Sequence, residues 1–185
     1  MKNYKTVGIV LKRINFKETD KILTVLTREH GRIKLIAHGI RKTSSRKASS
    51  LEPFAIVNLY ITQGKSLDLI LETETINNLP NIRSDLKKIG LAYQVCELVD
   101  RLSPERQVNR SLFDLVMSEL LLLNKLDIEA SYKIEEFELK LLWDLGYLPK
   151  GNVLSDHQLD FFMESVLEGR LKSKQLLIKI EELTF

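Results

Sequence analysis

The sequence predicts an α+β fold: a five-stranded OB-fold barrel over residues 1–80, then an all-helical domain over residues 81–185. Two observations predict it. Apolar residues alternate with period two through about residue 75, and after Pro80 they recur every three or four positions. A long polar connection separates the third strand-like run from the fourth, as in a small Greek-key barrel. The charge also divides along the chain. Residues 1–50 carry 13 Lys and Arg against 3 Asp and Glu, a net of +10, whereas the other 135 residues carry 15 against 22, a net of −7. From pattern alone a short SH3-like barrel fits nearly as well.

Thr6–Leu11 opens the strand series, with Val7, Ile9 and Leu11 on one face. Asn15–Thr19 reads as a polar turn, Ile22–Thr27 as a second strand rich in β-branched residues, and His30-Gly31 as a tight hairpin into Arg32–Ile40. In that third run Ile33, Leu35 and Ala37 share one face, and Lys34, Ile36 and His38 the other. Arg41–Ser50 has no large apolar residue and reads as a loop outside the core. Phe54–Thr62 and Leu67–Thr75 form the last hairpin, around Gln63-Gly64-Lys65. Beyond Pro80, Ile82, Leu86, Ile89, Tyr93 and Cys96 trace a helix that Ser103-Pro104 stops. Ser111 and Asp114 read as a capping box opening a helix with Leu112, Val116, Leu120 and Leu123 inward. Ile134, Phe137, Leu141 and Leu145 mark the next helix, stopped by Gly146 and Pro149. Ser155 with Gln158 opens another that ends at Gly169, and Ser173 is placed as the cap of the last.

Composition removes several classes of function. A single cysteine, Cys96, excludes an internal disulfide and any zinc site built on a Cys-x-x-Cys pair. His30, His38 and His157 are too far apart in sequence to suggest a metal cluster. The longest uncharged run, Pro53–Gly64, is twelve residues, short of the roughly 18–20 that a membrane span needs. The apolar stretch after Met1–Lys5 is too short for the core of a signal peptide, so a reduced, cytoplasmic setting is expected.

The segment Gly39-Ile40-Arg41-Lys42-Thr43-Ser44-Ser45-Arg46-Lys47 interleaves four cations with Gly, Ser and Thr, supplying charge and hydroxyl donors without bulk. Those are the ingredients of a flexible phosphate clamp. It is not a Walker A loop, because Arg41 rather than glycine precedes Lys42. The barrel half offers only four rings, Tyr4, Phe16, Phe54 and Tyr60, and Phe54 and Tyr60 suit a core. Many cations and few rings imply binding through the phosphate backbone, salt-dependent and nearly blind to sequence. Glu18 and Asp20 read as turn acids rather than a catalytic pair, and His38 has no neighbouring nucleophile. Cys96 reads as a buried thiol and Trp143 as a packing residue. No Ser/His/Asp or Cys/His set is present, so no enzyme is expected.

Several segments resemble the bacterial RecO recombination-mediator family. They are Val7-Gly8-Ile9-Val10-Leu11, Phe16-Lys17-Glu18-Thr19-Asp20-Lys21, Leu26–Arg32, Ala37-His38-Gly39-Ile40-Arg41-Lys42 with Ser45-Arg46, and Leu51-Glu52-Pro53-Phe54. The helical half adds Glu97–Leu102, Leu112–Leu115, Phe137–Leu142 and Leu145–Pro149. The resemblance implies an OB-fold followed by a helical domain, and binding of single- and double-stranded DNA with annealing of complementary strands. It further implies action with RecR to load RecA onto DNA coated by single-strand-binding protein, in DNA repair. Carried over residue by residue, the family's basic surface falls on Arg32, Lys34, His38, Arg41, Lys42, Arg46 and Lys47. Lys12 and Arg13 complete the expected DNA-binding set.

The likeness stops near Pro149. Many members carry a zinc-binding insert there, whereas here only Lys150–Leu154 precedes Ser155, so neither zinc nor another cofactor is expected. The chain also ends on Glu181-Glu182-Leu183-Thr184-Phe185, without a basic tail. Two readings stand beside the recombination mediator: an RNA-binding OB module, and a protein-interaction scaffold with an incidental basic half.

Overall fold

The computed structural model describes residues 2–42, 45, 47–125 and 132–184. The chain divides into two compact units, a barrel unit of Met1–Asn78 with Pro104–Phe113, and a helical unit of Leu79–Ser103 with Asp114–Phe185.

The barrel is closed from five strands, β1 (Asn3–Phe16), β2 (Asp20–Thr27), β3 (Gly31–Ala37), β4 (Ile56–Thr62) and β5 (Asp68–Asn77), in the order β1-β2-β3-β5-β4. All pairings are antiparallel except β3 with β5, which meet in parallel at Leu35–Asp68 and Ile36–Leu69. This is the OB-fold the sequence predicts. β1 is much longer than the expected Thr6–Leu11, because it serves two partners. Asn3–Ile9 pairs with β4, Gly8–Phe16 pairs with β2, and an irregularity between Val10 and Lys12 bends the strand from one to the other. Asn15 and Phe16 are therefore strand rather than turn, and the turn shrinks to three residues, with Lys17 at φ 53°.

Val10, Leu23, Val25, Ile33, Leu35, Ile40, Leu51, Val57, Leu59, Ile61 and Ile70 fill the interior. Each buried side chain of this size contributes about 1.5–3 kcal/mol before entropy is counted. The expected Ile33/Leu35/Ala37 face of β3 points inward. The Arg41–Ser50 loop is not excluded from the core as expected, since a methyl group suffices where space is small: Ala48 packs against the cluster.

Pro104–Phe113 lies on the barrel. Glu105 bridges to Arg32 in parallel, and the Arg106 amide donates to the Arg32 carbonyl at 2.8 Å. Gly31 is required there twice over: its φ is +67°, and a Cβ would sit 2.1 Å from the Gln107 carbonyl oxygen. Buried Asp68 accepts from the Tyr4 hydroxyl at 2.8 Å and the Gly64 amide at 3.2 Å, and faces Arg106 at 3.5 Å.

The helical unit holds α1 (Pro80–Arg83), α2 (Leu86–Leu102), α3 (Arg110–Lys125) from Asp114 onward, α4 (Ile134–Asp144), α5 (Asp156–Leu167) and α6 (Lys172–Thr184). The helix expected from Ile82 to Leu102 is interrupted at Ser84–Asp85, where the Asp85 carboxylate accepts from the Lys87 and Lys88 amides and starts α2 afresh. The buried face of α2 is Leu91, Val95, Leu98, Val99 and Leu102. Leu86 and Tyr93, read as inward, are 64% and 38% exposed. Leu112, Val116, Leu120 and Leu123 of α3 are buried as expected. The cap of α3 is Asn109, which accepts the Leu112 amide at 2.9 Å, and Ser111 instead donates its hydroxyl to Asn109. Gly146, at φ +77°, ends α4, and the Ser155–Gln158 capping box opens α5. Ser173 is not the cap of α6. The Glu97 carboxylate, projecting from α2, accepts the Lys172 and Ser173 amides at 3.0 and 2.8 Å. No described helix is long and apolar enough to cross a membrane.

Candidate nucleic-acid interface

Strand register sorts the cations of the barrel. Residues directly opposite one another on neighbouring strands project from the same face. Val25, Leu23, Ile33, Leu35 and Ala37 point inward, so Thr24, Ile22, Lys34 and Ile36 point outward. Lys12 lies opposite Thr24 and Thr24 opposite Lys34, making one row across β1, β2 and β3. The next row is Ile14, Ile22 and Ile36. Phe16 and Asp20 continue the grid toward the β1–β2 turn. Arg32 lies one step beyond Lys34 in the other direction, opposite Leu26.

Lys34 and His38 each have an acidic partner. The Lys34 ammonium is 3.3 Å from the Glu105 carboxylate. His38, with 56% of its side chain exposed, holds Asp20 through Nδ1 at 2.6 Å. The Asp20 carboxylate also accepts the Gly39 amide at 2.9 Å and the Thr19 hydroxyl at 3.0 Å. The Gly39 hydrogen bond and then that of His38 overcome the cost of burial and hold Asp20 down at about 2. Asp20 thus closes no amide of its own turn. It ties the end of β3 to the start of β2, and the Arg41 amide reinforces the tie by donating to the Thr19 carbonyl at 3.0 Å.

A second set of cations lies around the rim of the barrel. Arg13 and Lys21 stand opposite the inward residues Leu23 and Ala37 near the end of the sheet. Arg13 forms a two-pronged ion pair with Glu52. The Lys21 ammonium is held below its ordinary range, first by burial, then by Arg13, and further by Arg41, against the pull of Glu52. Arg41 reaches the Lys17 carbonyl at 3.4 Å, which joins this rim to the turn between β1 and β2.

Of the expected set, Lys12, Arg32 and Lys34 share the outer sheet face and His38 borders it at the end of β3; Arg13 and Arg41 belong to the rim. Lys42 is exposed in the turn closed by its amide on the Gly39 carbonyl. Lys47 goes elsewhere: its ammonium donates to the Ile70 carbonyl of β5 at 3.1 Å. Arg46, with Thr43 and Ser44, lies outside the described residues. Sequence reasoning missed Lys21 and Lys17. The signal for Lys21 was its place between Asp20 and the apolar run of β2, which puts a cation at a barrel mouth.

Phe54 is buried as expected, but Tyr60 is only half-buried, on the outer face beside Lys5, whose ammonium lies 5.7 Å from the ring centre. Cys96 is buried in α2, and burial pushes its thiol far above the usual range. Trp143 donates its indole N–H to the Asn152 carbonyl at 2.9 Å. Among the described residues no group of three or more His, Cys, Asp and Glu is placed to hold a metal ion.

Two family profiles match this chain in succession. Recombination protein O N terminal covers residues 1–79, the five strands and the rim, and Recombination protein O C terminal covers residues 83–153. The chain belongs to the RecO family. Among its relatives, the DNA repair protein RecO of Pelotomaculum thermopropionicum is 43% identical over 149 residues, 80% of this chain and 57% of the relative. That of Symbiobacterium thermophilum is 36% identical over 146 residues, 79% and 58% of the two chains. That of Caldanaerobacter subterraneus subsp. tengcongensis is 36% identical over 149 residues, 80% and 60%. The chain thus spans less than two thirds of the length of these RecO proteins. The likeness covers the barrel and α1–α4, and α5 and α6 lie beyond the matched C-terminal profile.

Proposed function

We propose that this RecO-family chain is a non-enzymatic DNA-binding protein of DNA repair and recombination. It binds single and double strands through the outer face and rim of its barrel and anneals complementary strands. With RecR it helps load RecA onto DNA coated by single-strand-binding protein, in the cytoplasm. The observation that carries this reading is the gathering of cations on one end of one small barrel, where burial and then the nearby Arg13 and Arg41 hold the Lys21 ammonium below its ordinary range. Bringing three like charges together costs free energy unless anions offset it, and Glu52 is paired with Arg13. Phosphates supply the missing charge. Annealing requires two polyanions to approach, and contacts that ignore base sequence let paired strands slide into register.

Exchanging Arg41 and Lys42 together for Glu tests the reading. Both side chains are exposed, so the barrel stays folded while DNA binding and annealing are lost. Wild-type affinity should fall with log salt at a slope of about −0.9 per phosphate neutralised on duplex DNA. Unchanged binding by the double variant at low salt would refute the assignment. Preference for structured RNA in a direct competition would favour an RNA-binding module instead.

A further inference from the structure

We infer that the α5–α6 hairpin is a self-association surface, on which Phe161 of each copy enters the groove between α5 and α6 of a second copy. The inference goes beyond the DNA-binding reading and concerns the two helices that lie past the matched profiles. The groove holds about 240 Å³, and Met163, Leu167, Leu171 and Ile178 give it an apolar lining. Two ion pairs border it: Lys174 with Asp160, which joins α6 to α5, and Arg170 with Glu164 at 3.4 Å. Its shape is fixed from α2. Arg101 donates to the Leu167 and Arg170 carbonyls at the turn between the helices, and Glu97 holds the first amides of α6. A groove held in this way needs little ordering when something enters it. Phe161, at 78%, is the most exposed large apolar side chain among the described residues, and Ile178 of the groove is 56% exposed. Phe161 lies three residues before Glu164, so the ring flanks the groove on the surface of α5 without filling it.

An exposed ring beside an apolar groove is a knob and a hole on one hairpin. A cavity of about 150 Å³ lined by aliphatic side chains admits a benzene ring, so the groove has room for the phenyl group of another copy. A two-fold axis between two hairpins seats each ring in the other's groove, the self-complementary contact of a closed dimer. Charge selects the same occupant. The two ion pairs leave the border with as many carboxylates as cations. A polyanion or an acidic peptide gains no net attraction there, and neither does a basic segment, whereas an uncharged ring loses nothing. Helices of 12 and 13 residues are about 18–20 Å long, so the shared face is small and the pair should be weak and reversible. A pair carries two basic barrels, which lets each copy hold one of two complementary strands.

The test is sedimentation equilibrium of the full chain without DNA. Wild type should form a concentration-dependent dimer that salt hardly affects, because the contact pairs no net charge. Phe161→Ala takes two rings from each pair and should weaken association about a hundredfold, with thermal melting unchanged because the ring is exposed. Gln175→Trp blocks the hole instead, since exposed Gln175 lines the groove, and should weaken association as much. Mixing the two variants restores one of the two contacts: Phe161 of the Gln175→Trp copy enters the open groove of the Phe161→Ala copy. The mixture should therefore associate about tenfold more tightly than either variant alone, which misfolding cannot imitate. Wild type that stays monomeric up to about 100 μM would overturn the inference. So would a dimer that Phe161→Ala leaves intact, or a mixture no tighter than its components. Monomeric wild type whose groove takes up an acidic peptide ending in Phe would overturn it too, by assigning the surface to a different protein.

Discussion

Two buried carboxylates, one in each unit, are driven in opposite directions. Asp20 of the barrel is 7% exposed and titrates at about 2, whereas Glu138 of α4 is 1% exposed and is pushed above its ordinary 4.5. Burial raises both. Asp20 answers it with the Gly39 amide, His38 and the Thr19 hydroxyl, all donating to one carboxylate. Glu138 has the Gln94 amide at 2.8 Å and the attraction of Lys174, and these fall short of the cost of burial. Glu119 of α3 behaves like Glu138, raised by burial despite a hydrogen bond from Tyr132. The barrel uses its acid to fix the loop that presents cations. The helical unit carries Glu138 and Glu119 as a cost to stability, whereas its Glu97, held down by the Lys172 and Ser173 amides, supports the start of α6.

The largest effect should come from removing the barrel carboxylate. Asp20→Ala leaves the Gly39 amide without its acceptor and releases His38, so that, among the described residues, the loop is held to the β1–β2 turn only through the Arg41 bonds to Thr19 and Lys17. The barrel should melt earlier and bind a single strand more weakly, with both read on the same protein by thermal melting and anisotropy. A variant that melts early but binds normally would show that the anchored loop is not part of the interface.

Glu138→Gln should move the helical unit the other way. It keeps an acceptor for Gln94 and removes a charge that burial disfavours, so stability at neutral pH should rise by about 1 kcal/mol. The same contrast appears on titration. The raised Glu138 and Glu119 hold back stability at neutral pH, and that deficit disappears as pH falls through their folded values toward the ordinary 4.5. Asp20, being depressed, contributes fully above its ordinary 3.8, and its contribution is lost only as pH falls from there through about 2. Between neutrality and about pH 5, hydrogen-exchange protection factors, taken relative to the intrinsic rate at each pH, should therefore rise in α3 and α4 and stay level in β2 and β3. Parallel behaviour of the two units would break the contrast.

The smallest effect concerns Glu105. Its ion pair with Lys34 is exposed on both sides, so Glu105→Gln should change stability by well under about 1 kcal/mol. A phosphate must displace this carboxylate to reach Lys34. Its removal should raise single-strand affinity about two- to threefold and steepen the salt slope by roughly 0.7.

Much of the fold was legible because burial imposes a period. Ile33, Leu35 and Ala37 could only be one face of a strand, and Leu112, Val116, Leu120 and Leu123 only one face of a helix. Helix starts were less legible, since a cap is any acceptor that arrives at the right place. Ser155 with Gln158 lies within four residues and could be read, whereas Glu97 reaches α6 from another helix and could not. The same limit applied to the candidate site. Cations were countable, but the partners of Lys34, Lys47 and Arg13 are Glu105, the Ile70 carbonyl and Glu52, each distant in the chain.

That a basic barrel precedes acidic helices, and that the chain belongs with RecO proteins, can be read from the residues in order. Periodicity, composition and ordered short motifs are local properties that need no coordinates. Which cations stand together depends instead on long-range strand pairing. Register turned Lys12, Ile14, Ile22, Lys34 and Ile36 into adjacent rows on one face, and sent Lys47 to β5. The physical reason is that strand neighbours are set by ladder hydrogen bonds between residues far apart in the chain, and a shift of one residue would exchange the inner and outer faces.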